Sequence, residues 1–196
     1  MNPYFLQILL WTGYGALHTI LATTIVKLFF AKNTGSLFRY YRLFYNLLAI
    51  VLLLGLWRYQ QTMPAEPLWH NVPIIKWLGY VLILTSVLLL GLALKGYNLG
   101  EFVGIKSSWT NEADTSNSLK TSGLLSYVRH PLYTATIMLV VGLFLADSLL
   151  RTLIMAICVM AYIRIRIYFE EQKLIQTFGE GYTKYRKNVP MLFPKI

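Results

Sequence analysis

Apolar residues along this chain occur in long runs separated by short polar segments. A membrane-crossing helix needs about 20 mostly apolar residues, and the candidate runs are residues 4–30, 43–57, 74–94, 132–146 and 149–163. Only Asp147 and Ser148 separate the last two runs, which are short, so we expect a tight helical hairpin there. The pattern predicts an all-α, multi-pass membrane protein with about five transmembrane helices.

Two segments are too polar to face lipid, namely a loop over residues 107–122 and a tail from residue 168 to residue 196. The tail begins with apolar residues at helical spacing, and Gly179 is placed to end that helix. Pro190 and Pro194 prevent a continuous helix beyond it. We expect one membrane domain, in which residues 1–98 shape an acceptor pocket and residues 119–196 form a cofactor-binding hairpin and tail.

The composition supports a membrane location. Hydrophobic residues make up 56% of the chain and charged residues only 13%, whereas soluble proteins carry about 25% charged residues. A soluble enzyme, a disordered protein and a coiled coil are therefore excluded. The single cysteine, Cys158, excludes an intrachain disulfide and a multi-cysteine zinc site, and the three scattered histidines have no metal-ligand spacing, so we expect no metal.

The net charge of +10 would indicate nucleic acid in a soluble protein. In an apolar chain, it indicates cytoplasmic loops near anionic lipid headgroups, so membrane lipids and not nucleic acid are the expected partners. Fifteen lysines and arginines fall on one side of the five expected helices and three on the other. This asymmetry predicts an external N-terminus and a cytoplasmic C-terminus, in the inner membrane if the protein is bacterial.

The first candidate site precedes the fourth expected helix. Pro131 is placed at the first helical position, which proline favours, and Arg129 and His130 come just before it. Free backbone N–H groups and the positive end of the helix dipole, beside a guanidinium, would bind an anion. The alternative interpretation is that Arg129 contacts headgroups and His130 caps the helix at the interface.

The second candidate site follows the fifth expected helix. Arg166 and Glu170 are four residues apart and share a helix face. Glu170 and Glu171 are adjacent carboxylates at a membrane boundary, where they must be solvated, paired or bound to a cation. The alternative is an interfacial helix with surface salt bridges, which contribute little stability.

A short hairpin brings its two ends to the same membrane face, so both candidate sites are expected to meet. S-adenosylmethionine suits such a site because it carries a carboxylate, an ammonium, a sulfonium and a ribose diol. Its carboxylate would lie at the helix N-terminus, and its ammonium or ribose hydroxyls at Glu170 or Glu171. A nicotinamide dinucleotide also suits it through its phosphates. Four tyrosines are candidates for adenine stacking or cation–π contact with the sulfonium: Tyr127, Tyr133, Tyr162 and Tyr168.

His18 lies near the middle of the first expected helix, close to several threonines. An ionisable side chain inside a membrane indicates function, and here that function would be binding of the acceptor. The alternative is a neutral histidine that hydrogen-bonds within the helix bundle.

The segment RHPLY at residues 129–133, followed by the paired acids Glu170 and Glu171, resembles the signature of integral-membrane methyltransferases. That family includes isoprenylcysteine carboxyl methyltransferases, bacterial phospholipid N-methyltransferases and NnrU-like proteins. The resemblance covers about residues 119–194, including Gly123. The tail follows the pattern L…FG..Y..Y…VP…P of the family through Leu174, Phe178, Gly179, Tyr182, Tyr185, Val189, Pro190 and Pro194.

The resemblance implies a pocket for S-adenosylmethionine closed by the C-terminal segment. His130 and Tyr133 would contact the cofactor, and Glu170 and Glu171 would hold its polar end. Arg166 would lie where methyl donor and acceptor meet. Together with the reasoning from the residues, this adds Tyr127 and Arg129 to the expected cofactor site. Arg166 and His130 are the expected catalytic residues, and His18 and Arg166 the expected acceptor-binding residues.

The chain departs from the family pattern at Ala135, where glycine is common, and the extra methyl group should slightly narrow the approach to the helix. The N-terminal half is more similar to the NnrU-like branch, so the acceptor does not carry over from the isoprenylcysteine enzymes. The resemblance predicts methyl transfer from S-adenosylmethionine to a small or lipid-soluble acceptor. The alternatives are an NADPH-dependent membrane reductase of sterol or polyprenyl type and a non-catalytic membrane protein.

Overall fold

The structure is a computed structural model, and it describes residues 2–70, 72–95 and 119–194. Helices account for most of these residues. The α-helices are α1 (Pro3–Ala22), α2 (Thr24–Thr34), α3 (Tyr41–Gln61), α4 (Pro73–Leu94), α5 (Pro131–Asp147), α6 (Leu150–Phe178) and α7 (Glu180–Asn188). Two 3₁₀ turns cover Gly35–Tyr40 and Gly123–Ser126. Most of the predicted polar loop, residues 107–118, lies outside the described residues.

Four helical stretches within the described ranges are long and apolar enough to cross a membrane, namely Pro3–Ala22, Thr24–Gln61, Pro73–Leu94 and Leu150–Phe178. The second of them combines α2, a 3₁₀ turn and α3. Helix α5 is apolar but has only 17 residues. The predicted all-helical, multi-pass membrane fold is confirmed, while the number of crossings and the orientation of the termini stay predictions.

The prediction of a single first helix over residues 4–30 is wrong, because the helix is interrupted at Thr23. This residue has extended backbone angles, with φ −69° and ψ 148°. Its hydroxyl donates to the Ile20 carbonyl at 2.7 Å and accepts from the Val26 N–H at 3.5 Å. A local cap of this kind ends one helix and begins the next inside an apolar run, which hydrophobicity alone does not reveal.

The last long helix, α6, extends well beyond the predicted run 149–163 and continues to Phe178. Gly179 ends it with a positive φ of 54°, a conformation that glycine adopts without steric cost, so the predicted helix end is confirmed. Helix α7 follows at once and ends before Pro190.

The described residues form two compact units, and residues 2–65 make up the first. Helix α1 packs against α3, and Trp11 of α1 and Leu56 of α3 are buried. Between these two helices, the buried Gln7 amide donates from Nε2 to Oε1 of Gln60 at 3.1 Å. Buried polar side chains of this unit thus pair between neighbouring helices, as burial requires.

The second unit comprises residues 66–70, 72–95 and 119–194, and its closest helix pair is α4 with α5. At their crossing, a Cβ atom on Gly79 would lie 2.6 Å from the Ala146 backbone nitrogen. A Cβ atom on Gly142 would lie 2.9 Å from the Gly79 carbonyl oxygen. The two backbones are in direct contact because both residues lack side chains, as in many membrane helix pairs.

Helices α5 and α6 form the tight hairpin expected from the sequence. Ser148 turns the chain with a positive φ of 58° and donates its N–H to the Phe144 carbonyl. Asp147 accepts the Leu149 N–H at 3.0 Å and the Thr152 hydroxyl at 2.5 Å. This turn makes the helices antiparallel neighbours, so the start of α5 lies beside the second half of α6.

Candidate active site

The site is centred on the start of α5, where Pro131 occupies the first turn and His130 is the N-cap residue. The Arg129 N–H donates to the Pro190 carbonyl at 2.9 Å, and the His130 N–H donates to the Met191 carbonyl at 3.2 Å. The Thr134 hydroxyl donates to the Leu192 carbonyl at 2.7 Å. The C-terminal segment therefore lies along the start of α5 and is held there through its own backbone.

The Arg129 side chain joins this segment to α6. Its Nε and Nη2 donate to Oε1 of Glu171 at 2.9 and 2.6 Å, and its Nη1 donates to the carbonyls of Arg186 and Val189 at 2.9 and 2.7 Å. Only 6% of either charged side chain is exposed. We call the Arg129–Glu171 pair and the segment 182–192 that it holds the C-terminal clasp.

His130 is buried against the same carboxylate. Its Nε2 lies 3.2 Å from Oε1 of Glu171, and because an ionised carboxylate only accepts hydrogen bonds, Nε2 carries the proton in this contact. In the neutral imidazole, Nδ1 then has a free lone pair. Nδ1 lies 3.9 Å from Oε1 of Glu170, which is beyond hydrogen-bonding distance. The ring is thus oriented by Glu171, and its basic nitrogen lies on the side of Glu170.

Glu170 differs from its neighbour because 42% of its side chain is exposed. The Tyr133 hydroxyl donates to Oε2 of Glu170 at 2.9 Å and also interacts with Arg166. The rings of His130 and Tyr133 lie 5.7 Å apart. An accessible carboxylate, a phenol, a guanidinium and an imidazole therefore converge at this end of the hairpin.

Helix α7 contributes residues that sequence reasoning did not assign to the site. Arg186 places Nε 3.7 Å from Oε2 of Glu171 and is half exposed. Burial, reinforced by the negative charge of Glu171 and by a hydrogen-bonding interaction with its carboxylate, raises the pKa of Tyr182. The hydroxyl is buried and makes no hydrogen bond of regular geometry among the described residues. Burial also raises the pKa of Tyr185, whose hydroxyl donates to the Leu125 carbonyl at 2.6 Å. Both phenols are neutral at physiological pH.

The expectation that the two sequence stretches meet in one cluster is confirmed. The cluster contains six of the predicted site residues: Arg129, His130, Tyr133, Arg166, Glu170 and Glu171. Tyr127 lies at the end of the second 3₁₀ turn with 66% of its surface exposed. The proposed roles of all these residues in binding or catalysis stay predictions.

His18 belongs to the first unit, where aromatic rings flank it. The Tyr45 hydroxyl lies 2.9 Å from Nε2 of His18, and the two rings stack with centroids 5.1 Å apart. The Tyr14 ring stacks nearby with its centroid at 6.1 Å. This is the hydrogen-bonded histidine of the structural alternative, and a role in acceptor binding stays a prediction.

The family of the chain follows from comparison with known proteins. The family profile described as phospholipid methyltransferase matches residues 73–181, which is more than half of the chain. The chain belongs to the phospholipid methyltransferase family. The resemblance to integral-membrane methyltransferases is thereby confirmed.

Individual relatives of the family agree with this assignment. A methanethiol S-methyltransferase of Mycobacterium tuberculosis is 30% identical over 76% of this chain and 62% of its own length. Methanethiol S-methyltransferase 2 of Bradyrhizobium diazoefficiens is 27% identical over 97% of this chain and 73% of its own length. The protein-S-isoprenylcysteine O-methyltransferase of Schizosaccharomyces pombe is 35% identical over 40% of this chain and 34% of its own length.

The chain spans only part of several relatives, for example 54% of a methanethiol S-methyltransferase of Crocosphaera subtropica. No solved structure is significantly similar to it. Within the chain, the phospholipid methyltransferase match includes the whole cluster of α5 and α6 but ends before Tyr182 and Arg186. His18 also lies outside the match. The residues that the structure adds to the site are therefore beyond the part of the chain that identifies the family.

Proposed function

We propose that this protein is a membrane-embedded methyltransferase that transfers a methyl group from S-adenosylmethionine to a small or lipid-soluble acceptor. One observation carries the proposal: His130 and Tyr133, at the start of α5, share a polar cluster with Glu170 and Glu171 of α6. This cluster lies within the segment that matches the phospholipid methyltransferase family.

The residues fit a cationic methyl donor. The carboxylate of Glu170 is accessible and suits an ammonium group or ribose hydroxyls. Tyr133, fixed by its hydrogen bond to Glu170, offers a ring to the sulfonium by cation–π attraction. Arg166, which interacts with the Tyr133 hydroxyl, would supply a cation for the carboxylate of the donor or of an acceptor. S-adenosylmethionine, when bound, would supply an electrophilic methyl group.

The work of the protein in this reaction is positioning and, for some acceptors, removal of a proton. Since displacement from a sulfonium releases a neutral thioether, no acid is required, and alignment of the reactants can lower the barrier by about 7–11 kcal/mol. A carboxylate acceptor is already ionised and would be oriented by Arg166. A thiol must lose its proton, and Nδ1 of His130, which lies on the side of Glu170, would accept it.

Among the acceptors, a small thiol is the first to test. Several relatives are named methanethiol S-methyltransferases, and His130 supplies the base that a thiol requires. The isoprenylcysteine relative, in contrast, is named an O-methyltransferase and aligns with less than half of the chain.

The test uses the full chain, purified in detergent. Calorimetric titration with S-adenosylhomocysteine should show binding, and transfer of a labelled methyl group to methanethiol should be detectable. Glu170→Gln should weaken binding about tenfold or more, which is about 1.4 kcal/mol. Arg164→Ala removes an exposed arginine of the same helix and should leave binding unchanged. A folded sample that binds no S-adenosylhomocysteine would contradict the proposal.

A further inference from the structure

The adjacent acids Glu170 and Glu171 have different surroundings. The side chain of Glu171 is 6% exposed and that of Glu170 is 42% exposed. Oε1 of Glu171 accepts from Arg129 and from His130, and Oε2 faces Arg186. Oε2 of Glu170, in contrast, accepts a hydrogen bond from the Tyr133 hydroxyl. A ligand can therefore reach the carboxylate of Glu170 but not that of Glu171.

Arg129 has almost no donor left for a ligand. A guanidinium offers five N–H groups in a fixed fork, and Arg129 makes four hydrogen bonds, two to Glu171 and two to backbone carbonyls of the C-terminal segment. Its side chain is nearly inaccessible. The Arg129 side chain therefore joins three parts of the chain, namely α6, the start of α5 and the segment 182–192.

We infer that the twin acids divide their work: Glu170 contacts the methyl donor, whereas Glu171 and Arg129 are positioning residues that close the C-terminal clasp and orient His130. The inference rests on the proposed function only for the nature of the ligand. It differs from the expectation that Arg129 and Glu171 touch the cofactor themselves.

The division has a mechanistic reason. Glu171 accepts the Nε2–H of His130 and so leaves Nδ1 as the basic nitrogen. The same carboxylate balances the buried guanidinium that holds the carbonyls of Arg186 and Val189. Loss of Glu171 would therefore release the C-terminal segment and the imidazole together, while loss of Glu170 would leave both in place.

The experiment compares Glu170→Gln with Glu171→Gln, the same substitution at neighbouring positions of the full chain. Trypsin cleavage after Lys184 and Lys187, both exposed on α7, reports opening of the clasp without any ligand. Cleavage after Lys32, in the first unit, is the internal reference. We expect Glu171→Gln to accelerate the α7 cleavages about tenfold or more and Glu170→Gln to change them less than about twofold.

Binding and turnover give the opposite pattern. Glu170→Gln should weaken S-adenosylhomocysteine binding and raise the KM for the donor more than Glu171→Gln does. At saturating donor and below the unfolding temperature, Glu171→Gln should lower kcat with methanethiol, because a neutral amide oxygen holds the imidazole of His130 more weakly than a carboxylate does. A defect of folding alone would not separate the two kinetic constants in this way.

A second variant keeps the test decisive if Glu171→Gln does not fold. Arg129→Lys retains the charge but cannot span the carboxylate and both carbonyls, so it should open the clasp as Glu171→Gln does.

Equal α7 cleavage in the Glu170 and Glu171 variants would overturn the inference. The inference would also be overturned if Glu171→Gln were cleaved at the wild-type rate and bound S-adenosylhomocysteine more weakly than Glu170→Gln. A wild-type protein that binds no S-adenosylhomocysteine would refute the proposed function, yet the cleavage rates would still decide whether the clasp exists.

Discussion

The two units bury polar side chains in different ways. In the first unit, polar side chains meet between α1 and α3: the buried amide of Gln7 donates to Gln60, and the half-buried imidazole of His18 contacts the Tyr45 hydroxyl. In the second unit, a buried ion pair, Arg129 with Glu171, also holds backbone carbonyls about sixty residues further along the chain. A neutral pair contributes about 0.5–1.5 kcal/mol, whereas breaking a buried ion pair costs about 3–5 kcal/mol. The second unit should therefore be the more sensitive one to loss of a single polar side chain.

The largest effect is expected from Arg129→Ala. The substitution leaves the Glu171 carboxylate buried without its main partner and frees two carbonyls, so we expect a loss of about 3–5 kcal/mol of stability. Thermal unfolding in detergent, monitored by circular dichroism, measures the change in stability. Arg151→Ala is not a suitable control, because that side chain has partners of its own, but Arg164→Ala is, since Arg164 is exposed. A loss below about 1 kcal/mol would mean that the Arg129–Glu171 pair contributes no more stability than an exposed ion pair.

The next effect compares a tightly packed glycine of the second unit with glycines of both units that have open space around them. Gly79→Ala would place a methyl group against the Ala146 backbone, and such overpacking costs about 1–3 kcal/mol. Gly91, on the same helix, and Gly55, on α3, have open space around them. Alanine at either position should stabilise its helix by about 0.5–1 kcal/mol. If all three variants unfold at the same temperature, the close approach of α4 and α5 is not required.

A smaller effect is expected in the first unit from Tyr45→Phe. The variant keeps the ring beside His18 and removes the hydroxyl that contacts it, so stability should fall by about 0.5–1.5 kcal/mol. The affinity for S-adenosylhomocysteine should be unchanged within error, and calorimetry would measure it. A marked loss of donor affinity would show that the Tyr45 hydroxyl contributes to donor binding.

The smallest effect is expected at the buried phenol of Tyr182. Tyr182→Phe removes a hydroxyl that interacts with the Glu171 carboxylate but makes no hydrogen bond of regular geometry among the described residues, so the free energy of unfolding should change by less than about 0.5 kcal/mol. Tyr185→Phe is the matched variant on the same helix and loses a bond to the Leu125 carbonyl, at a cost of about 1 kcal/mol. Equal losses in both variants would indicate that the Tyr182 hydroxyl has a partner in solution.

Hydrophobic periodicity predicted the long elements well where capping signals agreed with it. The expected run 74–94 became α4, which begins one residue earlier at Pro73, and the hairpin turn and the helix end at Gly179 also occur as expected. The break at Thr23 was missed, because a hydroxyl that caps a helix inside an apolar run does not change the hydrophobic pattern.

The sequence predicted which side chains of the site lie close together, but it did not predict the hydrogen bonds that connect them. The hairpin topology and the motif residues were enough to bring His130 beside Glu171. The sequence could not reveal that Arg129 would be saturated by backbone carbonyls, since carbonyls are present at every residue and carry no sequence signal. Arg186 was missed for a different reason: its contact with Glu171 depends on the path of α7, which begins directly after Gly179.

The C-terminal segment is held to the start of α5 through its main chain, which determines which mutations the segment tolerates. The start of α5 recognises Val189, Pro190, Met191 and Leu192 by their carbonyl oxygens, which every amino acid possesses. Side chains at positions 191 and 192 can therefore be exchanged without loss of these bonds, whereas an inserted or deleted residue would shift every acceptor out of register. Tolerance to replacement combined with intolerance to a change of length is the mutational signature that this arrangement should leave.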